Sequence, residues 1–366
     1  MNKSILTAVT LMAVSTYAAA PVVESYHEDK GPSVNLNIAG ETYGFMTLAM
    51  TGSKQDSYAS PVISPHTYLT FTATASHGPM HAEAKTRMDF FSPKYGVDSV
   101  DPYPGLYTVE SFGVTLKHDD LGAFSIGSMY GAREALYVPL PGVMPFTWSD
   151  NIYGTLDFPY DSNVWWSETN PKVMYVTPDI DGFAFAASYA PVVHPGLTTY
   201  RVLGFTKDQV SEYNQNIVEL GGKYTTDMLA VQLNYLKILK PKSGQAKTQS
   251  LSLAATATVG DFALGYAFMN DDGFGAIKYK NFASVGYKVT DDINVVGSAT
   301  MADKASVAQQ KDPNMGNVVA MLNAEFGIVK GLDLNVGAWT TINHKSGYSK
   351  SEAAVGITYK FSHDVH

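Results

Sequence analysis

The sequence predicts an all-β protein, a transmembrane antiparallel β-barrel of about sixteen strands, and three observations carry that reading. The first is the segment Met80 to Phe91, MHAEAKTRMDFF. Its even positions are Met80, Ala82, Ala84, Thr86, Met88 and Phe90; between them stand His81, Glu83, Lys85, Arg87 and Asp89. Successive strand side chains point to opposite faces, so one face is apolar or small and the other is ionisable. A soluble sheet gives the same contrast between a core face and a solvent face. The second observation favours the membrane: similar two-faced segments fill the chain after the first twenty residues, with no helical pattern of comparable length. The third is a rhythm of short turns and long connections, the layout of a barrel with one tight rim and one rim of extended loops.

The chain opens with Lys3, an apolar run from Ile5 to Val14 and the small-residue stretch Ser15 to Ala20. That is the pattern of a cleaved signal peptide over residues 1–20, with Pro21 favouring cleavage after Ala18 rather than Ala20. The apolar run is too short to cross a hydrocarbon core of roughly 30 Å as a helix, and no later segment reaches the ~20 apolar residues needed. A mature chain that spans a membrane must therefore close into a barrel, because lipid offers no partner to an open sheet edge. The sequence has no cysteine, and a chain of this length has no need of disulfides to hold a core. A formal net charge of −9 lacks the basic footprint of a nucleic-acid partner.

The short turns are His77-Gly78-Pro79, His118 to Gly122, Thr177 to Gly182, Thr225 to Asp227, Gly260-Asp261, Thr290 to Asp292 and Lys330-Gly331. Each is rich in residues that tolerate tight-turn dihedrals. Between them run longer stretches: Gly52 to Pro65, Ser92 to Tyr107, Arg133 to Pro171, Pro191 to Gln215, Lys240 to Lys247, Asn270 to Lys278, Ala302 to Gly316 and Asn343 to Ser349. Seven hairpin turns, with the last strand closing on the first, give sixteen strands.

Taken in order, the third strand is Met80 to Phe91, and the fourth (Thr108 to Lys117) and fifth (Ala123 to Ala132) are ambiguous in register by one residue, which would swap their faces. Later, Leu251, Leu253, Ala255, Ala257 and Val259 alternate with Ser250, Ser252, Ala254, Thr256 and Thr258, and Phe262, Leu264, Tyr266 and Phe268 share the next face. Leu332, Leu334, Val336 and Ala338 oppose Asp333, Asn335 and Trp339; Ala353, Val355, Ile357, Tyr359 and Phe361 oppose Glu352, Thr358 and Lys360. Aromatic residues near strand ends, Phe183, Tyr224, Tyr287 and Tyr359 among them, fit the girdles that flank a lipid-facing band. Strand propensity alone also enriches aromatics in any β protein. The reading is one domain over residues 21–361, with residues 362–366 as a short C-terminal extension.

Two patches resemble the trimeric Gram-negative porins, most closely the type of neisserial and related bacteria. They are GAFSIGSMYGARE (Gly122 to Glu134) and NPKVMYVTPDIDGFAFAASYAP (Asn170 to Pro191), the second holding a Y-x-[ST]-P-x-x-x-G-F hairpin. Gly356, Tyr359 and Phe361 also resemble the family's terminal assembly signal, although here Ser362 to His366 follow the last aromatic. The resemblance implies a sixteen-stranded barrel in the outer membrane, in contact with its lipid, assembled as a homotrimer and passing small hydrophilic solutes and ions. It implies no cofactor, and a third loop folded into the lumen as a constriction. In this chain that loop is Arg133 to Pro171, and it holds Trp148, Trp165 and Trp166, three of the four tryptophans. A long connection this aromatic is poorly suited to disorder and well suited to packing inside a wide barrel.

A pore discriminates by width and by the charges at its narrowest point. The loop carboxylates are Asp150, Asp157, Asp161 and Glu168; the wall cations are Lys85, Arg87, Lys117, Arg133 and Lys172. Opposed rows of the two signs would set a transverse field that orients dipolar solutes, and the four carboxylates lean the balance towards cations. The plainer alternative for Arg133 is a pin that fastens the loop to the wall. The tryptophans could form a stacking track for sugars, though packing against the wall is the commoner use. A solute-selective channel and a structural or adhesion barrel are the rival functions. Enzyme motifs are missing: there is no G-x-S-x-G, no phosphate-binding G-x-x-x-x-G-K-[ST] and no H-E-x-x-H. A Ser–His pair assembled across strands would be invisible to spacing.

Overall fold

The computed structural model describes residues 33–51, 62–91, 107–141, 171–191, 216–239, 249–272, 279–302, 318–343 and 348–365. They form β1 (Ser33–Thr51), β2 (Val62–His77), β3 (Met80–Phe91), β4 (Tyr107–His118), β5 (Gly122–Ser128), β6 (Pro171–Val176), β7 (Phe183–Ala190) and β8 (Ile217–Thr225). The second half comprises β9 (Leu229–Ile238), β10 (Gln249–Val259), β11 (Phe262–Asp272), β12 (Tyr279–Thr290), β13 (Ile293–Ala302), β14 (Val318–Val329), β15 (Leu332–Asn343) and β16 (Tyr348–Val365). Every strand pairs antiparallel with its sequence neighbours, and β16 pairs with β1, so the sheet is a closed barrel. Closure removes both sheet edges, the condition lipid imposes on strands. None of the described helices is long and apolar enough to cross a membrane.

The seven short turns all fall between consecutive strands, and Ser33 and Val365 lie on that same rim: Ser33 pairs with Ser76 beside the first turn and Leu36 with Val365. Gly182 shows why such a turn needs glycine: its φ of 85° and its contact with the Thr225 carbonyl leave no place for a Cβ, and its N–H is capped by Asp179 Oδ1 at 2.8 Å.

Alternation sorts the two faces. Phe112, Val114 and Leu116 on β4, Phe124 and Ile126 on β5, Phe183 and Phe185 on β7 and Ile357 and Tyr359 on β16 all stand exposed on the outer face, where water would not hold them. Rings pair across neighbouring strands beside the short turns, Phe183 with Tyr224 and Phe262 with Tyr287, as the girdle reading expects. The register ambiguity of the fourth strand has a physical cause. Arg87 pairs with Ser111 but Met88 with Val109, so Glu110 is a bulge, and Val109 and Phe112 both reach the outer face.

Three boundaries differ most from the sequence reading. The fifth strand ends at Ser128, not Ala132, because the chain leaves the ladder there and Ala132 opens a helical turn. β2 begins at Val62, not after Pro65, because Val62 to Pro65 continue the ladder to Thr47 to Gly44. The barrel does not stop at Phe361. Ser362 to Val365 remain in β16 and pair with Ala39 to Leu36, Asn37 Nδ2 donating to Ser362 Oγ and to Asp364 Oδ1 at 2.9 Å each. Inward-facing polar partners on β1 give these residues a ladder to join, so they are strand and not tail.

Candidate functional site: the lumen and the segment that crosses it

β5 and β6 are the shortest strands, 7 and 6 residues, so the chain leaves the wall at Ser128 and turns into the bore. Residues Met129 to Pro141 then run across the inner wall. The single helical turn α1 (Ala132–Ala135) opens the segment, with Ala132 N–H donating to Ser188 Oγ on β7 at 3.2 Å. Lys223 Nζ on β8 donates to the Tyr137 carbonyl at 3.5 Å. Gln232 on β9 bonds both the Arg133 carbonyl and Val138 N–H, and Thr256 Oγ1 on β10 donates to the Pro139 carbonyl at 2.6 Å. The Pro141 ring lies over Gly265 of β11 and Gly286 of β12, where the bare glycines give it room. Six consecutive strands thus meet one stretch of chain.

Beside these polar anchors the stretch also covers apolar wall. Val138 and Leu140 are buried in one cluster with Ala254, Ala267, Phe282, Val319, Met321, Trp339, Ala354 and Tyr68. All of those wall residues face inward, seven on β10–β16 and Tyr68 on β2; buried Ser250, Ser252, Lys280, Ser284, Asn323, Asn335 and Glu352 share the β10–β16 inner face, so that side of the bore is closely packed. The opposite sector is not. Lys85 is exposed, and Thr70, Thr72, Thr74 and Glu83 around it are partly open.

The wall cations separate into three groups. Lys85 and Arg87 share the inward face of β3, and the Arg87 guanidinium sits 3.9 Å from the centre of the Tyr68 ring, a cation–π contact. Lys172 belongs to the same lateral row as Lys85, through the pairs Lys85–Gly113, Gly113–Gly127 and Gly127–Lys172, but is buried. Arg133 is buried on α1 and lines a small cavity with Glu219, Asn234 and Ser250. Lys117 is placed elsewhere: it pairs with His81 and Ala123 beside the His118 turn, at the short-turn rim. The loop carboxylates Asp150, Asp157, Asp161 and Glu168, and Trp148, Trp165 and Trp166, lie outside the described residues.

Several lumen residues escaped sequence reasoning. Glu219, Gln232 and Lys280 are inward and buried. The signal for them was available in the period-2 register: IVELGGKYT places Ile217, Glu219, Gly221 and Lys223 on one face. Trp339 and Glu352, already on the polar faces by alternation, meet in the lumen, Trp339 Nε1 donating to Glu352 Oε2 at 3.0 Å. A Ser–His pair does form across strands. Ser76 Oγ is 2.8 Å from His81 Nδ1, and His81 Nε2 is 3.1 Å from Asp119 Oδ1. Ser76 and His81 are directly opposed in the β2–β3 ladder, so register alone brings them together. No group of three or more His, Cys, Asp or Glu among the described residues could hold a metal.

A closed sixteen-stranded barrel, greasy outside and charged within, with its own chain laid across the bore, is the architecture of an outer-membrane pore. The Gram-negative porin family profile matches residues 6–365, and the chain belongs to that family. It is therefore an outer-membrane pore protein of Gram-negative bacteria. Solved structures of porin from Rhodopseudomonas blastica share the fold. One mutant superposes with a TM-score of 0.61 at 13% identity, and a triple mutant with 0.60 at 13%, each covering 90% of this chain and 100% of the other. No curated protein matches the sequence.

Proposed function

We propose that the protein is a general diffusion porin whose aqueous passage runs along the β1–β5 sector, for small hydrophilic solutes and ions. The observation that carries this reading is the asymmetry of the bore: many inward residues of β10–β16 are buried, several in one cluster with Val138 and Leu140 of the crossing segment, whereas Lys85 on β3 is exposed. Ion preference is set by Lys85 and Arg87 on the wall, with Arg133 and Lys172 near the loop base, against Asp150, Asp157, Asp161 and Glu168 of the third loop. Trp148, Trp165 and Trp166 pack the loop within the bore. In a narrow passage with low-dielectric walls these local charges outweigh the net charge of the chain.

Planar-bilayer recording tests the reading. The protein should form discrete channels, and replacing Lys85 and Arg87 by Gln should move the reversal potential in a dilute-salt gradient towards cations. Replacing Asp157 and Asp161 by Asn should move it towards anions. Both shifts should shrink at molar salt, where the screening length falls to about 3 Å. Unmoved potentials would place these residues off the permeation path. Saturable block by one sugar and not its relatives would favour a solute-selective channel instead.

The assembly is a homotrimer in this proposal. What supports it is a patch of small residues on the outer face of β1–β3, Gly40, Thr42, Thr67, Ala82, Ala84 and Thr86, set among Leu69, Phe71 and the Phe361 ring that lies over Gly40, and Thr67 Oγ1 donates to Thr42 Oγ1 at 3.2 Å. A hydroxyl pair of this kind suits protein contact better than lipid. Residues 1–20 are the export signal. Ser76, His81 and Asp119 tie the rim together in this reading and do no hydrolysis, so an activity-based fluorophosphonate should leave Ser76 unlabelled.

A further inference from the structure

The segment that crosses the bore brings its own backbone polar groups away from water, and each must find a partner there. One wall side chain supplies several. Gln232, fully buried on the inward face of β9, donates from Nε2 to the Arg133 carbonyl at 2.5 Å and to Asn234 Oδ1 at 3.1 Å. Its Oε1 accepts from Val138 N–H at 3.2 Å. A primary amide offers two N–H groups and one carbonyl oxygen, and here all three are used. Ser188, Lys223 and Thr256 each touch the segment at a single point, whereas Gln232 grips it on both sides of Leu136. Beside this grip stands Glu219, buried on β8. Its carboxylate occupies the space a Cβ at Gly131 would need, and its Oε2 has no hydrogen-bond partner among the described residues. The segment therefore has a clamp at its centre and a close-fitting stop at its entry.

We propose that Gln232 is a positioning residue for permeation: it fixes the crossing segment against the β8–β9 wall, with Glu219 as the stop, and so sets the free cross-section of the pore. This rests on the reading that the third loop narrows the passage, and names the side chain that holds it there.

Gln232→Leu, made in the full chain, keeps the volume and removes all three bonds. Its channels should conduct roughly half as much again as the parent and show greater open-channel noise, since width governs conduction at a constriction. Losing three buried hydrogen bonds should also lower the heat resistance of the barrel, so conductance and noise are compared only for barrels that fold. Gln232→Glu keeps an acceptor for Val138 N–H but has no donor for the Arg133 carbonyl, and should fall between. A folded Gln232→Leu barrel with parental conductance and noise overturns the proposal. Where Gln232→Leu does not fold, Gln232→Glu, nearly the same shape, carries the test: parental conductance and noise in its folded channels also overturn the proposal. Deletion of Asn151 to Trp165 separates the two readings. If the deletion widens the pore and Gln232→Leu does not, narrowing stands and the clamp falls; if neither does, both fall.

Discussion

The Arg87 guanidinium lies 3.9 Å from the centre of the Tyr68 ring, and that contact shapes what the charge can do. A flexible cation in a bore samples many positions; one laid on an aromatic face presents a fixed edge at modest entropic cost. Tyr68→Phe keeps the face and should leave ion preference as it is. Tyr68→Leu removes it, and reversal potentials should then drift towards the value of the Arg87→Gln variant. Trp339 offers a stability test at the same scale. Its Nε1 is a donor to the buried Glu352, so Trp339→Phe withdraws a charge-assisted hydrogen bond and should lower the unfolding free energy by about 1–3 kcal/mol in detergent–urea titrations. The cations of β3 were legible in the sequence because five ionisable residues alternate with small ones over a single strand. Gln232 and Glu219 were not, since neither residue type announces a lumen and their importance comes from a segment nearly a hundred positions away.

At the level of elements, the hairpins were readable because each short turn concentrates Gly, Asp, Asn or Pro between two alternating runs. The course of Met129 to Pro141 was readable only as a loop with unusual composition. Its partners are on β7 to β12, and contacts at that sequence distance leave no local pattern. The brevity of β5 and β6 is the local cause of the loop's route, because the wall ends early and releases the chain at a level where it can enter the bore. Deleting Asn151 to Trp165 should raise single-channel conductance by roughly twofold if the loop narrows the passage. Turn chemistry can be tested apart from permeation. Lys288 Nζ lies 2.6 Å from Asp291 Oδ1, and this hydrogen bond and charge hold the Asp291 carboxyl below its usual range. A lowered folded pKa stabilises the fold above the unfolded pKa, and the contribution is lost as pH falls through the folded value. Both groups are open to solvent, so Asp291→Asn should shift the unfolding temperature at neutral pH by less than about 3 °C.

Across the whole molecule, the sixteen strands follow from counting turns and adding one closure, and the closure is where sequence reading fell short. Tyr359 and Phe361 marked a plausible end, but the ladder to β1 continues to Val365. Removing Ser362 to His366 should therefore lower the temperature at which the barrel unfolds on semi-native gels by several degrees, whereas a folded truncation of unchanged heat resistance would show that the last four pairs add nothing. Every other strand is delivered to its neighbour by a connection along the chain. The β1–β16 seam alone is joined by no turn or loop, and it brings together Asn35 and Asp364, 329 positions apart. Such a contact gives no return until almost the entire loop has been closed. Until the final strand arrives, the chain is an open sheet with two bare edges, ready to pair with any other strand it meets. Completion of this barrel is thus a single late event, and a chain interrupted just before its last strand is not a slightly smaller pore but an aggregation-prone ribbon.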